Sequence, residues 1–388
     1  MKEDRILILY ANYGEGHKSA ARAIEAKIQR DIPEATIIVS DFLGDAFPVS
    51  DWIMRKLYLQ TFTWAKPIYR QLYYKTKDNR VNSQLFTLPS TLSCLKLERY
   101  LKQIKPTIVI STFPTLTGML SVVKDRGKID FDLYCVLTDY VTHSQWLYHS
   151  VDRYFVPTEG IRNDLVRRGI PASSIQIASI PVMPKFEANR DRSFLREKWG
   201  LTNEAFVVLI SAGAFGVVNI KEACVNLIRE CPSLQFVVVC GRNNKLYNQL
   251  KTLPEITPVP FTNEMHELMQ LSDLFVTKAG GLSVSEAITC ELPMLLYKSL
   301  PGQETENVKY LIRQRIAKRV KSTKELSKAV LEILETKGLI GEMRENIRNL
   351  RERNERLPQL TESIKKDIRR KNKEVDLIRL REKRLYEI

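Results

Sequence analysis

The chain contains 388 residues, of which 44% are hydrophobic, and its 60 Lys and Arg residues against 45 Asp and Glu residues give a net charge of +15. This length predicts two domains rather than one, and no apolar run approaches the roughly 18 residues that a membrane-spanning helix needs. The positive charge favours anionic partners, either a nucleic acid or an anionic membrane surface.

Short apolar runs alternate with segments of helical period along the chain. The runs cover residues 6–10, 36–40, 107–111, 133–138, 154–156, 206–212, 236–240, 274–277 and 294–297. Because they hardly alternate with polar residues, they are typical of parallel strands that are buried on both faces. We therefore predict an α/β fold with two Rossmann-like, doubly wound domains and a cleft between them.

The N-terminal half begins with a strand–glycine–helix unit and is interrupted by an aromatic and basic segment at residues 42–100. Its first apolar run is too short for a secretory signal, so we expect a cytosolic protein. The composition of the 42–100 segment suits an element that lies on an anionic leaflet, although part of its aromatics could simply belong to the core. The candidate membrane contacts are Trp52, Trp64, Lys66 and Arg70.

A break without a strand signal falls near residues 181–203, where prolines and a charge cluster occur. A second strand–glycine–helix unit begins directly after it. We predict an N-terminal domain over 1–185 that binds acceptor and membrane, a C-terminal donor-binding domain over 186–340, and a charged helical tail over 341–388.

Glycine-bearing loops follow several predicted strands, at the sheet edge where ligands bind in open α/β folds. In the first loop, Gly14 and Gly16 allow a tight turn, and His17 begins a helix. A histidine there could take a proton from a hydroxyl nucleophile, and the alternative is a helix cap or local packing. At the start of the second half, Gly213 could leave backbone N–H groups accessible to a phosphate, or it could only form a tight turn.

The stretch TKAGGLSVSEA places two adjacent glycines between a strand and a helix. Gly280 and Gly281 leave backbone N–H groups open to a phosphate at the helix N-terminus. Ser283 and Ser285 offer hydroxyls. Glu286 could accept hydrogen bonds from ribose hydroxyls, or it could only make a favourable contact with the helix dipole.

The motifs GEGH, KAGGLSVSEA and PGQETEN, in this order and together with LTDYVTHSQW, PTEG and SIPVMPKF, closely resemble the family of diacylglycerol glycosyltransferases. This family contains the bacterial processive diacylglycerol glucosyltransferases and the plant monogalactosyldiacylglycerol synthases. The resemblance covers about residues 5–330. One departure is Ala279, which stands where family members commonly have Pro; because the glycines are kept, we expect UDP binding to survive.

The resemblance implies the two-domain glycosyltransferase fold called GT-B, with a UDP-sugar in the C-terminal half and the lipid acceptor in the N-terminal half. It implies an inverting transfer of a hexose, glucose rather than galactose, from UDP-glucose or UDP-galactose to membrane diacylglycerol. The product would be a glycolipid that can anchor lipoteichoic acid, and the number of sugars added stays open. We expect a peripheral protein on the cytoplasmic face of the cell membrane.

The resemblance also implies roles for individual residues. His17 would be the base or the orienting group for the acceptor hydroxyl, in a loop with Gly14 and Gly16. Asp139 and His143 are second candidates for this catalytic role. The implied donor site consists of Gly213, Lys278, Gly280, Gly281, Ser283, Ser285, Glu286, Gln303, Glu304 and Asn307. No metal and no cofactor are expected, and the DFD at residues 130–132 is interpreted as the polar start of a strand.

Other interpretations stay open at the level of sequence. A transferase of N-acetylglucosamine from its UDP form to a polyprenyl-linked cell-wall precursor, or a UDP-sugar epimerase, would share the two-domain fold. A non-catalytic UDP-sugar sensor would bind the donor without turnover. The charge also permits a nucleic-acid-binding protein, but because no recognisable nucleic-acid motif occurs, we expect no nucleic acid as partner.

Overall fold

Two parallel sheets of six strands each organise the protein. The computed structural model describes residues 4–12, 15–49, 51–52, 66–77, 91–211, 220–297, 299 and 302–370. Helices connect successive strands in both halves, so the predicted α/β fold with two doubly wound domains is confirmed.

The N-terminal sheet has the strand order β2-β1-β3-β4-β5-β6. Its strands are Arg5–Leu9 (β1), Thr36–Ser40 (β2), Ile108–Ser111 (β3), Asp132–Val136 (β4), Arg153–Val156 (β5) and Ile175–Ile177 (β6). The central strands are buried on both faces, as their unbroken apolar sequences predict, and Leu7 of β1 pairs with Val109 of β3 in parallel register.

Among the described residues of the N-terminal half, six helices accompany this sheet. They are Glu15–Asp31 (α1), Phe42–Ala46 (α2), Lys66–Thr76 (α3), Thr91–Ile104 (α4), Pro114–Asp125 (α5) and Glu159–Arg167 (α6). α1 buries Ala20, Ile24 and Ile28, which are spaced four residues apart and therefore share one face of the helix. This face fixes α1 so that its N-terminus points toward the carboxyl end of β1.

The C-terminal sheet has the order β12-β11-β10-β7-β8-β9. Its strands are Phe206–Ser211 (β7), Leu234–Gly241 (β8), Ile256–Pro260 (β9), Leu274–Thr277 (β10), Met294–Tyr297 (β11) and Ala317–Val320 (β12). β10 lies at the centre beside β7, and both β10 and its neighbour β11 are buried at every position. The loops that leave these two strands carry the predicted donor residues.

The helices of the C-terminal half surround this second sheet. They are Arg192–Lys198 (α7), Ile220–Glu230 (α8), Asn244–Leu250 (α9), Met265–Leu271 (α10), Gly281–Thr289 (α11), Gln303–Arg313 (α12), Thr323–Glu335 (α13) and Leu339–Glu355 (α14). α12 follows Gly302, whose φ of 90° lies in the left-handed region that glycine adopts readily. The turn before α12 therefore depends on this glycine.

The charged tail returns to the N-terminal domain. Residues 360–370 are helical (α15), and Leu360, Ile364 and Ile368 pack into the same core cluster as the residues of β1. Asp367 is buried there and accepts hydrogen bonds from Tyr134 and Arg153. The tail up to residue 370 therefore covers one face of the first sheet.

Three strands in the structure have no counterpart among the predicted runs: β6, β9 and β12. All three lie at the edge of a sheet. Their sequences, IQI, ITPVP and AKRV, mix apolar with polar residues or proline, because an edge strand is partly exposed and pairs on one side only. The apolar-run criterion detects buried strands and misses such edges.

Asp273, directly before β10, joins three parts of the C-terminal domain. Its Oδ1 accepts from Arg192 at 2.6 Å and from Arg344 at 2.8 Å, and its Oδ2 accepts from Arg196 at 2.8 Å and from the Val207 N–H at 2.9 Å. Burial opposes its ionisation, but the charge of Arg192 and the other donors outweigh burial and hold the pKa of Asp273 below its usual value. α7, α14 and β7 are thus attached to one carboxylate.

We predict that Asp273→Asn lowers the free energy of unfolding by about 2–4 kcal/mol, because the arginines lose their shared buried counter-charge. Urea unfolding of the full chain measures the effect. The control is Glu345→Gln, which breaks an exposed pair with Arg348 and should cost no more than about 0.5 kcal/mol. Equal, small effects of both variants would contradict the assigned role of Asp273.

Candidate active site

Loops from the carboxyl ends of strands in both sheets meet at the junction between the domains. α1 begins at Glu15 after β1, and α11 begins at Gly281 after β10. A Cβ placed on Gly16 would lie 4.0 Å from the Cβ of Leu282, so the N-terminal turns of these two helices are in contact. Loops that the sequence predicts separately are therefore adjacent in space.

His17 lies in the first turn of α1. Its Nδ1 is 2.7 Å from the carbonyl oxygen of Thr112 and 3.3 Å from the hydroxyl oxygen of Thr138. Because a carbonyl oxygen can only accept, we infer that Nδ1 carries the proton and that Nε2 keeps its lone pair. Within the described part of the chain, Nε2 has no hydrogen-bond partner.

Desolvation of the imidazole outweighs its bond to Thr112 and lowers the pKa of His17 to about 4. The histidine is therefore neutral at pH 7, which is the form that can accept a proton. Its role as the base stays a prediction.

The two adjacent glycines have different surroundings. A Cβ on Gly281 would lie 1.9 Å from the carbonyl oxygen of Thr138 and 3.0 Å from the Cα of Asp139. A Cβ on Gly280 would meet none of the described atoms within 4 Å. Gly281 is therefore required by the backbone of the other domain, whereas Gly280 leaves open space at the N-terminus of α11.

The serines of α11 also differ. Ser285 is buried, and its Oγ donates to the carbonyl of Gly281 at 2.7 Å and lies 2.9 Å from the hydroxyl of Tyr140. Tyr140 in turn stacks on Tyr310 of α12, with ring centroids 4.8 Å apart. Ser285, expected around the diphosphate, is thus used to join the domains, because its hydroxyl is occupied there. Ser283 is half-buried in the first turn of α11.

Asp139 and α12 form the centre of the junction. The carboxylate of Asp139 accepts from Nε2 of Gln303 and, at 2.9 Å, from Nδ2 of Asn307. Asn307, expected beside the hexose, is instead fully buried, and its Oδ1 accepts the Tyr140 N–H at 3.0 Å. No side of its amide is left for a sugar. Gln303 and Glu304 remain half-buried at the start of the helix.

Glu286 is half-buried on α11. Burial of its carboxyl raises the pKa of Glu286 to about 8, and the positive charge of Lys185 only partly opposes this shift. Its carboxyl makes no hydrogen bond to the described residues. A desolvated carboxyl of this kind is suited to sugar hydroxyls, which both donate and accept.

His143 is engaged through both ring nitrogens. Nδ1 accepts the Gln145 N–H at 3.2 Å, and Nε2 lies 3.2 Å from the hydroxyl of Thr76 at the end of α3. Its ring also packs on Tyr73, with centroids 4.8 Å apart. His143, expected as a second candidate for catalysis, therefore fastens α3 to the loop after β4 and has no nitrogen left for proton transfer.

α3 also contacts the donor domain. The hydroxyl of Tyr74 and Nζ of Lys77 each lie 3.1 Å from the carboxylate of Glu306 on α12. Burial opposes ionisation of Glu306, but bonds to Lys309 and Lys77 outweigh it and lower the pKa of its carboxyl. The aromatic segment is thus tied to the helix that begins with Gln303.

Among the described residues of the 42–100 segment, three large apolar side chains are more than half exposed, two near residue 50 and one at the start of α4. Val49 is 72%, Trp52 57% and Leu92 61% exposed. Lys96 connects the two stretches, because its Nζ donates to the carbonyl of Ala46 at 2.9 Å. Arg70 of α3 is exposed as well. None of the described helices is both long and apolar enough to cross a membrane.

Several predicted residues cannot be placed. Gly14, Gly213 and Trp64 lie outside the described residues, and so does the side chain of Lys66. Lys278 is half-buried and has interactions of its own. Their assignment stays a prediction.

Three further residues, Thr112, Thr138 and Tyr140, contact His17, Gly281 and Asn307 and are not predicted from the sequence. Thr138 and Tyr140 flank Asp139 in the motif LTDYVTHSQW, so the signal was their position in a motif rather than their chemistry. The hydroxyls of threonine and tyrosine are neutral at pH 7, so these residue types alone do not indicate a site.

One group of three described side chains, Glu264, His266 and Glu267, brings metal-ligand atoms within 4.8 Å of one another. Glu267 already accepts from Arg190 at 2.6 Å and from Lys198 at 2.6 Å. These cations would repel a metal ion, and we assign none to this group.

Comparisons with known proteins agree with this architecture. The family described as monogalactosyldiacylglycerol (MGDG) synthase matches residues 17–182, and the glycosyltransferase family 28 C-terminal domain matches residues 207–367. Among solved structures, Acinetobacter baumannii MurG is similar with a TM-score of 0.59 and 17% identity, over 95% of this chain and 99% of that one. A co-structure of S. aureus MnaA with UDP is similar with a TM-score of 0.59 and 16% identity, over 88% and 91% of the two chains. At these identities the likeness shows the fold, and the expected GT-B architecture is confirmed.

Similar curated proteins extend over nearly the whole chain. The processive diacylglycerol beta-glucosyltransferase of Bacillus cereus (strain AH187) is 33% identical over 360 residues, which is 90% of each chain. The protein of the same name from Bacillus cytotoxicus is 33% identical over 355 residues, 89% of each chain. The chain therefore belongs to the diacylglycerol glycosyltransferase family that contains these processive beta-glucosyltransferases.

Proposed function

We propose that this protein transfers a hexose, glucose in the first instance, from a UDP-sugar to diacylglycerol with inversion to a β-glycoside. The relatives with this printed name match 90% of the chain. The observation that carries the proposal is the meeting of a neutral His17 with the N-terminus of α11 across the domain junction. This arrangement provides a base on the acceptor side and an anion site on the donor side.

The donor would bind along α11 and α12. The N-terminus of α11, where Gly280 leaves open space, is suited to the diphosphate because its backbone N–H groups and dipole favour negative charge. Glu286, farther along the same helix, would bind the ribose hydroxyls. Gln303 and Glu304, at the start of α12, would face the hexose.

The chemistry follows from these positions. Nε2 of His17 takes the proton of the diacylglycerol hydroxyl, and the oxygen forms a bond to the anomeric carbon. The bond from that carbon to the diphosphate oxygen breaks, and UDP leaves with the electron pair. The N–H groups at the start of α11 stabilise the developing charge, so we propose that transfer needs no resident metal or cofactor.

The acceptor side would lie on a membrane surface. Val49, Trp52 and Leu92 are exposed apolar side chains of the N-terminal domain, and Lys96 and Arg70 are exposed cations of the same domain. Such a combination suits an element that enters the headgroup region of an anionic leaflet, where diacylglycerol resides. We propose a peripheral location at the cytoplasmic face of the membrane.

The similar solved structures, MurG, MnaA and a UDP-N-acetylglucosamine 2-epimerase, share only the fold at 14–17% identity, whereas the curated diacylglycerol beta-glucosyltransferases share 33% identity along 90% of the chain. The test of the function is a turnover assay. Purified protein is incubated with diacylglycerol in anionic vesicles, EDTA, and UDP-glucose or UDP-galactose. We expect glycolipid and UDP in equal amounts with UDP-glucose. Formation of an epimer, or UDP release that does not depend on lipid, would refute the proposal.

We predict that His17→Ala lowers kcat by about 10²–10⁴-fold and leaves the affinity for UDP within about twofold. The control is His149→Ala, because His149 is exposed and outside the junction. Vesicle turnover and calorimetry measure the two quantities. A rate for His17→Ala near that of the control would remove His17 from the mechanism.

We predict a second signature of His17 in the pH profile. Because its pKa is lowered to about 4, the base form persists as the pH falls through the usual value of 6.5. The quantity to measure is kcat/KM for the lipid as a function of pH, with saturating donor. Protonation of His17 should make this quantity fall on the acid side near pH 4–5. A limb at pH 6.5 that disappears in a His17 variant would contradict the assigned environment.

We predict that Trp52→Ala combined with Leu92→Ala lowers the partition coefficient to anionic vesicles by about tenfold or more, because both side chains lose apolar area that the membrane would bury. The control is Phe194→Ala, since Phe194 is 63% exposed on the other domain. Vesicle sedimentation measures the binding. Unchanged binding of the double variant would place the membrane face elsewhere.

A further inference from the structure

Asp139 accepts two side-chain hydrogen bonds from the donor domain. Its carboxylate accepts from Nε2 of Gln303 and, at 2.9 Å, from Nδ2 of Asn307. Asp139 itself is 5% exposed, and a Cβ placed on Gly281 would lie 3.0 Å from its Cα. A single residue of the acceptor domain thus packs against the start of α11 and binds the start of α12.

The orientation of Asn307 is fixed independently of Asp139. Its Oδ1 accepts the Tyr140 N–H at 3.0 Å, and its Nδ2 donates to the carbonyl of Ala279 at 2.9 Å. The amide cannot be reversed without losing both bonds. The remaining proton of Nδ2 must therefore point to an acceptor at residue 139.

This geometry does not suit Asp139 as the base. Its carboxylate is enclosed by amides of the other domain, so a lipid hydroxyl cannot reach it without opening the junction. Burial, only partly offset by the Asn307 bond, raises the pKa of Asp139 to about 7, with the charge of Glu304 acting in the same direction. Such a pKa would suit a base, so it is the enclosure of the carboxylate that excludes this role.

The bond to Gln303 has a consequence for the donor. The structure places Nε2 of Gln303 against Oδ2 of Asp139. Above pH 7 the carboxylate of Asp139 is ionised and has no proton to donate, so Gln303 must present its NH₂ group there. Its Oε1 is then directed away from Asp139. An amide held this way presents its oxygen as an acceptor to a sugar hydroxyl. An amide that is free to rotate could present either its oxygen or its NH₂ group.

We propose that Asp139 is a positioning residue that fixes the polarity of the Gln303 amide and so presents Oε1 to the hexose of the donor. The inference rests on the proposed function only in that the donor is a UDP-hexose. It does not require the acceptor to be diacylglycerol. Its effect would be confined to the hexose part of the donor, because the hexose is the part that Gln303 is proposed to contact.

The variant Asp139→Asn tests the proposal with little change of shape. Nδ2 of Asn307 still needs an acceptor, so the amide oxygen of the substituted side chain faces Asn307. The NH₂ group of the substituted side chain then faces Gln303, and the Gln303 amide must reverse to present its oxygen to it. We expect the Kd for UDP-glucose to rise about tenfold and the Kd for UDP to stay within about twofold, as measured by calorimetry on the full chain. The control is Asp130→Asn, since Asp130 is exposed in the same domain.

A compensating variant separates positioning from a merely structural role. Gln303→Glu alone places two carboxyl groups against each other and should weaken UDP-glucose binding about tenfold. In Asp139→Asn with Gln303→Glu, the new NH₂ group donates to one carboxylate oxygen and the other faces the hexose. We expect the double variant to bind UDP-glucose within about threefold of the unaltered protein.

Four results would overturn the proposal. They are an unchanged Kd for UDP-glucose in Asp139→Asn, an equal loss for UDP and UDP-glucose, a double variant no better than the single ones, and a kcat loss above about 100-fold with unaltered donor binding. The last result would make Asp139 a catalytic residue. A protein that follows the expected binding pattern but makes no glycolipid would refute the proposed function and leave this inference intact.

Discussion

The carbonyl oxygen of Thr138 occupies the space where a side chain at residue 281 would begin, 1.9 Å from a Cβ placed there. Only glycine lacks this atom, so only glycine lets the loop after β4 touch the N-terminus of α11. The approach brings Asp139 within reach of α12 and keeps Thr138 beside His17. The candidate base and the donor helices are therefore placed by one backbone contact.

Several groups at the junction and on α11 are removed from water. Desolvation lowers the pKa of His17 to about 4 and raises the pKa values of Asp139 to about 7 and of Glu286 to about 8. The shifts differ in direction because burial favours the uncharged form of each group. In such surroundings hydrogen bonds are stronger than in water, which allows a few amides and hydroxyls to orient a sugar without a cluster of charges.

The buried strands and the strand–glycine–helix loops could be predicted from the sequence because both are local patterns. β6, β9 and β12 could not, since these edge strands mix apolar with polar residues or proline, whereas the edge strand β2 has the apolar sequence TIIVS and is predicted. In the site, Ser285 and Asn307 show the same limit. Their polarity indicates a partner, but whether that partner is a ligand or Tyr140 depends on how the two domains meet.

Gly281→Ala compared with Gly280→Ala is the most direct test of this account, measured as hydrogen exchange at residues 138–142 without ligand. The Cβ on residue 281 would collide with Thr138, whereas that on residue 280 meets no described atom within 4 Å. We predict about tenfold or faster exchange in Gly281→Ala, because the bond from the Tyr140 N–H to Asn307 opens, and unaltered exchange in Gly280→Ala. Equal exchange in both variants would show that the domains are not held by this contact.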